Sequence, residues 1–271
     1  MKGFARHTVR RDVLDLALHV QEGQGPLVFF QHGLCGDAAQ PASVFPEGAR
    51  LAVLECRGHG GSPAGLIEAL SIATFTDDLA AAIEQSSAQP CIAGGISMGA
   101  AIAMRLAVTR PDLVSGLVIA RPAWTTLAAP DNMRPNLMVG EILLEPPSAD
   151  ELPAFLASDM GRMLAAEAPD NLVSLTGFFR REPRAVTAAL LTRISRDGPG
   201  VSEAQLAALA IPTLVIGHGE DVVHPMSHAR HLALLIPQAQ LLEIPPKARG
   251  KAPYEEAFRA GLAKFLQEMI P

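Results

Sequence analysis

Residues 91–100 read CIAGGISMGA, and they contain a Gly-x-Ser-x-Gly pattern centred on Ser97. The apolar run before the serine is typical of a buried strand, and the residues after it have the spacing of a helix. Glycines two positions before and after Ser97 permit a tight turn that lifts its side chain above the sheet. The pattern alone is weak, because glycine and serine are common. Between a strand and a helix it favours a nucleophile, and it raises the question of which residue would take the proton.

The rest of the chain alternates apolar, strand-like stretches with helix-like ones. Strands are predicted at 13–20, 26–33, 50–62, 90–96, 115–123, 211–221 and 239–245, and helices at 74–85, 97–111, 225–237 and 253–269. Buried strands that alternate with helices predict an α/β fold with a mostly parallel sheet covered on both faces.

Residues 124–205 interrupt this rhythm. The segment is rich in Pro, Met, Leu and Ala and carries helical patterns without a convincing strand. We therefore predict a core formed by 1–123 and 206–271 and a helical insertion at 124–205. The insertion is expected over the carboxyl edge of the sheet, where ligands bind in open α/β folds.

Composition narrows the class of protein. The chain has 271 residues, 49% of them hydrophobic and 18% charged, and a net charge of −6, so it is globular and an unfavourable partner for nucleic acid. It has no apolar run of about 18 residues, and its first residues lack a signal-peptide core. These features predict a cytoplasmic protein without a membrane span. They leave the oligomeric state open, a homodimer included.

Further motifs follow in order along the chain. His32-Gly33 follows one apolar strand, RGHGGS (57–62) follows the next, and Asp221 follows a late strand in GHGEDVVHP. Together with the turn at Ser97, these motifs resemble the α/β-hydrolase family in its lid-bearing branch, over roughly residues 13–270. The several ordered motifs make the resemblance specific for the fold and less so for the activity.

The resemblance implies a catalytic role for several positions. Ser97 would be the nucleophile, and the backbone N–H groups of Leu34 and Met98 would form an oxyanion hole. Asp221 would orient a histidine placed just after the last strand. An alternative for Asp221 is to cap the helix that starts near Pro225.

The expected histidine is missing from its family position. No histidine follows His231, and Lys247 lies in the region where the family places it. The sequence therefore predicts a degenerate triad. This departure matters because a serine hydroxyl needs an adjacent base, which contributes roughly 10²–10⁴-fold in rate.

Three residues could supply the base. His224 is the first candidate, because it lies three residues after Asp221 in a loop that faces the family's active site. His32 flanks the oxyanion loop, and Lys247 could act if burial lowered its pKa. Each has a structural alternative: packing for His224, a hydrogen bond for His32 and solvation for Lys247.

Other residues are expected near a pocket. Arg121 ends a strand on the ligand-binding side, and Trp124 either lines the entrance or anchors the insertion. Arg121, Lys247 and a basic cluster at 180–184 raise the possibility of an anionic ligand. No phosphate loop or dinucleotide fingerprint is present, so no cofactor is predicted. A metal site at His224, His228 and His231 is disfavoured, because no carboxylate shares their spacing.

Two classes of function remain open from the sequence. The first is a small-molecule hydrolase that attacks an ester, thioester, lactone or C–C bond next to a carbonyl. The second is a ligand-binding pseudo-hydrolase that has lost its base. A lyase step on the same scaffold is a third option. The surroundings of Ser97 discriminate them, since a hydrolase needs a nitrogen base within about 3 Å of the hydroxyl.

Overall fold

The computed structural model describes residues 3–86 and 90–269. Residues 1, 2, 87–89, 270 and 271, which the predicted core range includes, lie outside the described residues. In the described part an eight-stranded sheet has the order β1-β2-β4-β3-β5-β6-β7-β8. The strands are β1 (Phe4–Arg11), β2 (Leu14–Gln21), β3 (Leu27–Gln31), β4 (Arg50–Leu54), β5 (Cys91–Ile96), β6 (Val114–Ala120), β7 (Thr213–Gly217) and β8 (Ala239–Glu243).

The sheet is parallel from β4 to β8, whereas β2 is antiparallel to both of its neighbours. Its central strands are buried on both faces, so their side chains alternate between two apolar clusters. In β3, Phe29 belongs to one cluster, and Val28 and Phe30 belong to the other. This double burial explains why the strands read as continuous apolar runs. The predicted α/β fold class is confirmed.

Helices cover both faces of the sheet. The first cluster includes residues of α2 (Ile72–Gln85), α3 (Met98–Thr109) and α10 (Met226–Leu235). The second includes residues of α1 (Ala39–Val44) and α11 (Lys251–Met269). Within the described ranges, none of the helices combines the length and apolar character needed to cross a membrane.

The first strand was not predicted. β1 reads FARHTVRR, and Val9 is its one fully buried residue because the strand lies at the edge of the sheet. Polar side chains on an exposed edge leave no apolar alternation to recognise.

Between β6 and β7 the chain forms α4 (Arg134–Leu144), α5 (Glu151–Ala157), α6 (Asp159–Glu167), α7 (Pro169–Phe178), α8 (Arg184–Ser195) and α9 (Glu203–Ala207). Most residues of the predicted insertion, 124–205, lie in these helices. A third apolar cluster, with Val139, Phe155 and Leu191 among its members, packs α4–α8 together. The predicted division into a core of 1–123 and 206–271 and a helical insertion at 124–205 stays a prediction.

Two glycines allow α3 to approach the sheet closely. A Cβ at Gly99 would lie 2.5 Å from the Gln31 carbonyl oxygen, and one at Gly95 would lie 2.4 Å from the Gly99 carbonyl carbon. These contacts are with backbone atoms, which cannot rotate away. The glycines around Ser97 are therefore needed for the packing of α3 as well as for the turn.

We expect Gly99→Ala to lower the free energy of unfolding by about 1–3 kcal/mol or more, because the added methyl group must displace backbone. Urea unfolding followed by circular dichroism measures this loss. The matched control is Gly177→Ala in α7, where a Cβ meets no atom within 4 Å. Alanine there is expected to stabilise by about 0.5–1 kcal/mol. Equal effects of the two substitutions would contradict this account of α3 packing.

Candidate active site

Ser97 lies in a strained turn between β5 and α3. Its backbone has φ 57° and ψ −112°, a left-handed conformation that L-residues rarely adopt. The Ser97 N–H donates to the Ala120 carbonyl at 2.9 Å, which fixes the turn to the neighbouring strand β6. Strain of this kind costs of order 1–3 kcal/mol and is held by the surrounding structure. The geometry agrees with the tight turn expected from the glycine spacing.

His224 brings an imidazole to the serine. Its Nε2 lies 2.8 Å from Ser97 Oγ. The histidine is in the loop after β7, not in the region after β8 where the family resemblance places it. A histidine within hydrogen-bonding distance of Ser97 is therefore present, although the last strand does not carry it.

Asp221 holds this histidine in two ways. The His224 backbone N–H donates to Asp221 Oδ1 at 3.0 Å, which folds the intervening residues into a tight loop. The His224 Nδ1 lies 2.9 Å and 3.0 Å from the two carboxylate oxygens. A carboxylate only accepts, so Nδ1 carries the proton and Nε2 presents its lone pair to the serine hydroxyl. This is the tautomer that can accept a proton from Ser97.

Arg121 is paired with Asp221 and is not free to attract an anion. Its Nε and Nη2 donate to Asp221 Oδ2 at 3.0 Å and 2.6 Å, and both side chains are buried. Nη2 also lies 3.3 Å from the His224 Nδ1. The arginine thus fixes Oδ2, whereas Oδ1 accepts the His224 backbone N–H and lies slightly closer to its Nδ1. This differs from the sequence-based expectation of an anion-binding arginine.

Burial and charge determine protonation at the site. Burial would raise the pKa of Asp221, but the charge of Arg121 and the hydrogen bond from His224 outweigh it and hold this pKa well below its usual range. Burial lowers the pKa of His224 from the ordinary 6.5, and Arg121 lowers it further, against the opposing effect of Asp221. The carboxylate is thus ionised and the imidazole neutral near neutral pH. That is the combination required of a base and the group that orients it.

A second buried layer supports the arginine. Tyr254 lies with its ring centroid 5.9 Å from Arg121 Cζ, and the His218 ring packs edge-on against Tyr254 at 5.5 Å. His218 Nε2 has no hydrogen-bond partner among the described residues and lies 3.4 Å from Asp221 Oδ2. Sequence reasoning did not include Tyr254, because its place in PYEE at the start of α11 carries no recognisable motif.

Helix α7 of the insertion supports the same loop. Asn171 Oδ1 accepts hydrogen bonds from the Val222 and Val223 N–H groups at 2.9 Å and 3.0 Å. These two residues lie between Asp221 and His224 in the chain, so α7 helps to fix the separation of the two side chains. Sequence reasoning missed Asn171 as well, since only the folded structure brings it to this loop.

The loop after β3 presents a free backbone donor. The Gly33 N–H donates to Gln40 Oε1 at 2.6 Å, the Cys35 N–H to His59 Nε2 at 3.0 Å, and the Gly36 N–H to the Gly33 carbonyl at 3.0 Å. Among the described residues, the Leu34 N–H has no such acceptor. Met98 opens α3, where first-turn N–H groups lack an intrahelical partner.

His32, a candidate base, and Trp124, a candidate for the pocket entrance, both lie outside the cavity lining. His32 is fully buried: its Nε2 accepts the Cys56 N–H at 3.1 Å, and its Nδ1 therefore donates to the Gly33 carbonyl at 2.8 Å. Trp124 is also fully buried, and its Nε1–H donates to the Asp197 carbonyl at 2.9 Å. Because both nitrogens of His32 are engaged in structure, it has none left to act as a base. Trp124 joins the two ends of the helical insertion.

Lys247 lines the pocket but is held by a carboxylate. Its Nζ lies 2.9 Å from Asp170 Oδ1 at the start of α7. The cation at the position where the family would place its histidine thus ties the insertion to the segment after β8. In the basic cluster, Arg184 is likewise paired, with Glu151 at 2.8 Å. Three of the predicted anion-binding cations, Arg121, Lys247 and Arg184, are therefore matched by carboxylates.

Ser97 and His224 open onto a cavity of about 260 Å³. Its apolar lining includes Leu34, Met133, Leu175, Phe178 and Val223, and its polar lining includes Gln40, Asn136, Asn171, Ser174 and Lys247. The volume suits a small ligand. Over the described ranges, no cluster of three or more His, Cys, Asp or Glu side chains is arranged to hold a metal ion.

The chain belongs to the α/β-hydrolase-fold family, whose sequence profile matches residues 26–249. A protein of Klebsiella pneumoniae (strain 342) that is named as a carbamate hydrolase, RutD, is 28% identical over 81% of this chain and 83% of its own. The sn-1-specific diacylglycerol lipase ABHD11 of Mus musculus is 27% identical, over 86% of this chain and 78% of its own.

Solved structures show the same fold. A thermophilic esterase from Thermogutta terrifontis superposes with a TM-score of 0.74 over 99% of both chains, at 20% identity. At that identity the likeness concerns the architecture alone.

We expect Arg121→Met to lower the free energy of unfolding by about 3–5 kcal/mol, because the Asp221 carboxylate would stay buried without its cation. Urea unfolding at neutral pH measures this loss. The control is Arg196→Met, which breaks an exposed pair with Glu141 and should cost much less. A similar loss in both variants would contradict a special role for the buried pair.

Proposed function

We propose that this protein is a serine hydrolase for small carbonyl compounds, in which Ser97, His224 and Asp221 form the catalytic triad. The observation that carries the proposal is the 2.8 Å contact between Ser97 Oγ and the unprotonated Nε2 of His224. The names of the two curated relatives, a carbamate hydrolase and a lipase, support hydrolysis of an acyl group.

In the first step, Ser97 Oγ bonds to the substrate's carbonyl carbon while its proton passes to His224 Nε2. The tetrahedral intermediate then collapses, and the imidazolium gives that proton to the leaving group as its bond to carbon breaks. Water attacks the resulting acyl-serine in the same manner, losing a proton to His224. The acid is released and the serine is regenerated.

The N–H groups of Leu34 and Met98 would stabilise the oxyanion in both steps. Two observations support this role. The Leu34 N–H has no acceptor among the described residues, whereas the N–H groups of the residues around it already donate hydrogen bonds, and Met98 lies at a helix N-terminus. A donor of this kind typically contributes about 10²–10³-fold in rate.

Asp221 and Arg121 would act through the histidine. The carboxylate fixes the tautomer and orientation of His224, and Arg121 fixes the carboxylate. Because Arg121 also neutralises Asp221, the histidine stays weakly basic and therefore neutral at moderately acidic pH.

The helical insertion would act as a lid that selects the substrate. The cavity that Ser97 faces is also lined by residues of the insertion. These are Met133 just before α4, Asn136 in α4, and Leu175 and Phe178 in α7. A mixed apolar and polar lining of this size favours a short ester, thioester, lactone or carbamate. A non-catalytic binder would have only apolar side chains or solvent beside Ser97, whereas His224 occupies that place.

A fluorophosphonate probe tests the proposal directly. We expect rapid phosphonylation of Ser97, located by mass spectrometry, and none in Ser97→Ala. In His224→Ala labelling should slow by about 10²–10⁴-fold, because the serine loses its base.

The matched control is His231→Ala, which removes an exposed histidine paired with Glu203 and should label at the wild-type rate. Lys247→Ala tests another of the three bases considered from the sequence and should also retain rapid labelling. Undiminished labelling in His224→Ala would overturn the assignment, and failure of the wild type to label would favour a binding protein.

The acidic limb of kcat/KM against pH should have its midpoint below the ordinary histidine pKa of 6.5. Activity requires neutral His224 and is lost as pH falls through its pKa, which burial and Arg121 lower. In Arg121→Met the midpoint should move to higher pH, because a positive charge that disfavours the imidazolium is removed. Initial rates on an activated ester between pH 4 and 8 measure both.

His231→Ala serves again as the control and should leave the midpoint unchanged. A midpoint at or above 6.5 in the wild type, or a shift to lower pH in Arg121→Met, would contradict the proposed electrostatics.

A further inference from the structure

One polar side chain in the cavity has no role in the proposed triad and no hydrogen-bond partner among the described residues. Asn136 in α4 lines the cavity and is only 6% exposed, yet its Oδ1 accepts no hydrogen bond. Other buried side-chain atoms without partners in the described residues belong to residues outside the cavity lining. A buried amide without a partner is unfavourable, so its presence in a ligand cavity calls for a partner from the ligand.

Two further amides in the lining have their oxygens occupied. Asn171 Oδ1 accepts two backbone N–H groups, and Gln40 Oε1 accepts the Gly33 N–H. These bonds fix the orientation of each amide and leave its NH₂ group as the remaining donor. Neither NH₂ group donates a hydrogen bond to another described residue. The cavity thus offers amide donors from two sides and, at Asn136, a donor and an acceptor together.

The cavity offers these groups without an unbalanced charge. Arg121 is paired with Asp221 and Lys247 with Asp170. Uncharged donors and acceptors suit a neutral group, and an amide that carries both matches the two functions of Asn136.

We propose that Asn136 is a specificity residue that recognises a primary amide or a lactam in the substrate, donating to its carbonyl oxygen and accepting from the N–H on the same edge of that group. The substrate class is therefore a small neutral acyl compound that carries a primary amide or a lactam apart from the bond that is cleaved. This inference rests on the proposed hydrolase function and adds the substrate chemistry to it.

Matched esters test the inference. On the acyl side, p-nitrophenyl pyroglutamate, a lactam, is compared with p-nitrophenyl cyclopentanecarboxylate, which has the same ring size without the lactam. On the alcohol side, 4-carbamoylphenyl acetate, a primary amide, is compared with 4-isopropylphenyl acetate, which has the same branching without the amide. Each ratio of kcat/KM is divided by the ratio of the hydroxide rates, which removes the intrinsic difference in reactivity.

In at least one pair the wild type should prefer the amide ester by about 10- to 100-fold, as expected for two hydrogen bonds. In Asn136→Leu, which keeps the shape and removes the amide, the preference should fall to within about threefold of unity. Gln240→Leu makes the same kind of change on the exposed edge strand β8 and should retain the wild-type preference. Fluorophosphonate labelling of Ser97 in each variant shows that the fold and the activated serine persist.

Labelling of Ser97 without an amide preference in either pair would overturn the inference and leave the hydrolase proposal standing. A preference that survives Asn136→Leu would also overturn it. Loss of labelling in the wild type would instead defeat the hydrolase proposal itself.

Discussion

The arrangement of the site depends on the carboxylate of Asp221. One of its oxygens accepts the His224 backbone N–H and lies closest to the imidazole, and the other accepts two N–H groups of Arg121. With four donors around it, the buried carboxylate remains charged and cannot rotate without breaking several charge-assisted bonds. The position of the imidazole against Ser97 follows from this constraint. A loop of four residues, from 221 to 224, thus supplies both the carboxylate and the imidazole.

Much of the fold could be predicted from the sequence because its strands are buried on both faces. Stretches such as PLVFFQHG and PCIAGGI are recognisable as continuous apolar runs, and the glycines around Ser97 mark a turn that only small residues allow. The edge strand β1 gave no such signal, since its side chains face solvent on an exposed edge. A local sequence pattern reveals an element whose burial restricts it to apolar residues. It does not reveal an element whose exposure to solvent permits many residue types.

The site was less predictable because its contacts join distant segments. His224 was a candidate because of its proximity to Asp221 in the sequence. The pairing of Arg121 with Asp221, in contrast, spans 100 positions, and it shows that this arginine neutralises a carboxylate. A basic residue at a strand end looks the same in sequence whether it attracts a ligand or neutralises a carboxylate. His32 and Trp124 were similarly ambiguous, and the hydrogen bonds that engage their ring nitrogens appear only in the folded chain. Asn171 and Tyr254 belong to no motif at all.

The relocation of the histidine has a consequence for the helical insertion. Proton transfer requires a geometry and not a particular chain position, so a histidine after β7 frees the segment after β8 for another use. Lys247 in that segment pairs with Asp170, and the next residue, Asn171, holds the backbone between Asp221 and His224. The start of α7 is therefore bound both to the core and to the loop that carries the imidazole. We expect any opening of the cavity to occur toward Phe178, the last residue of α7, because displacement of its first turn would disturb the histidine as well. Opening of the cavity and the position of the imidazole then depend on opposite ends of one helix.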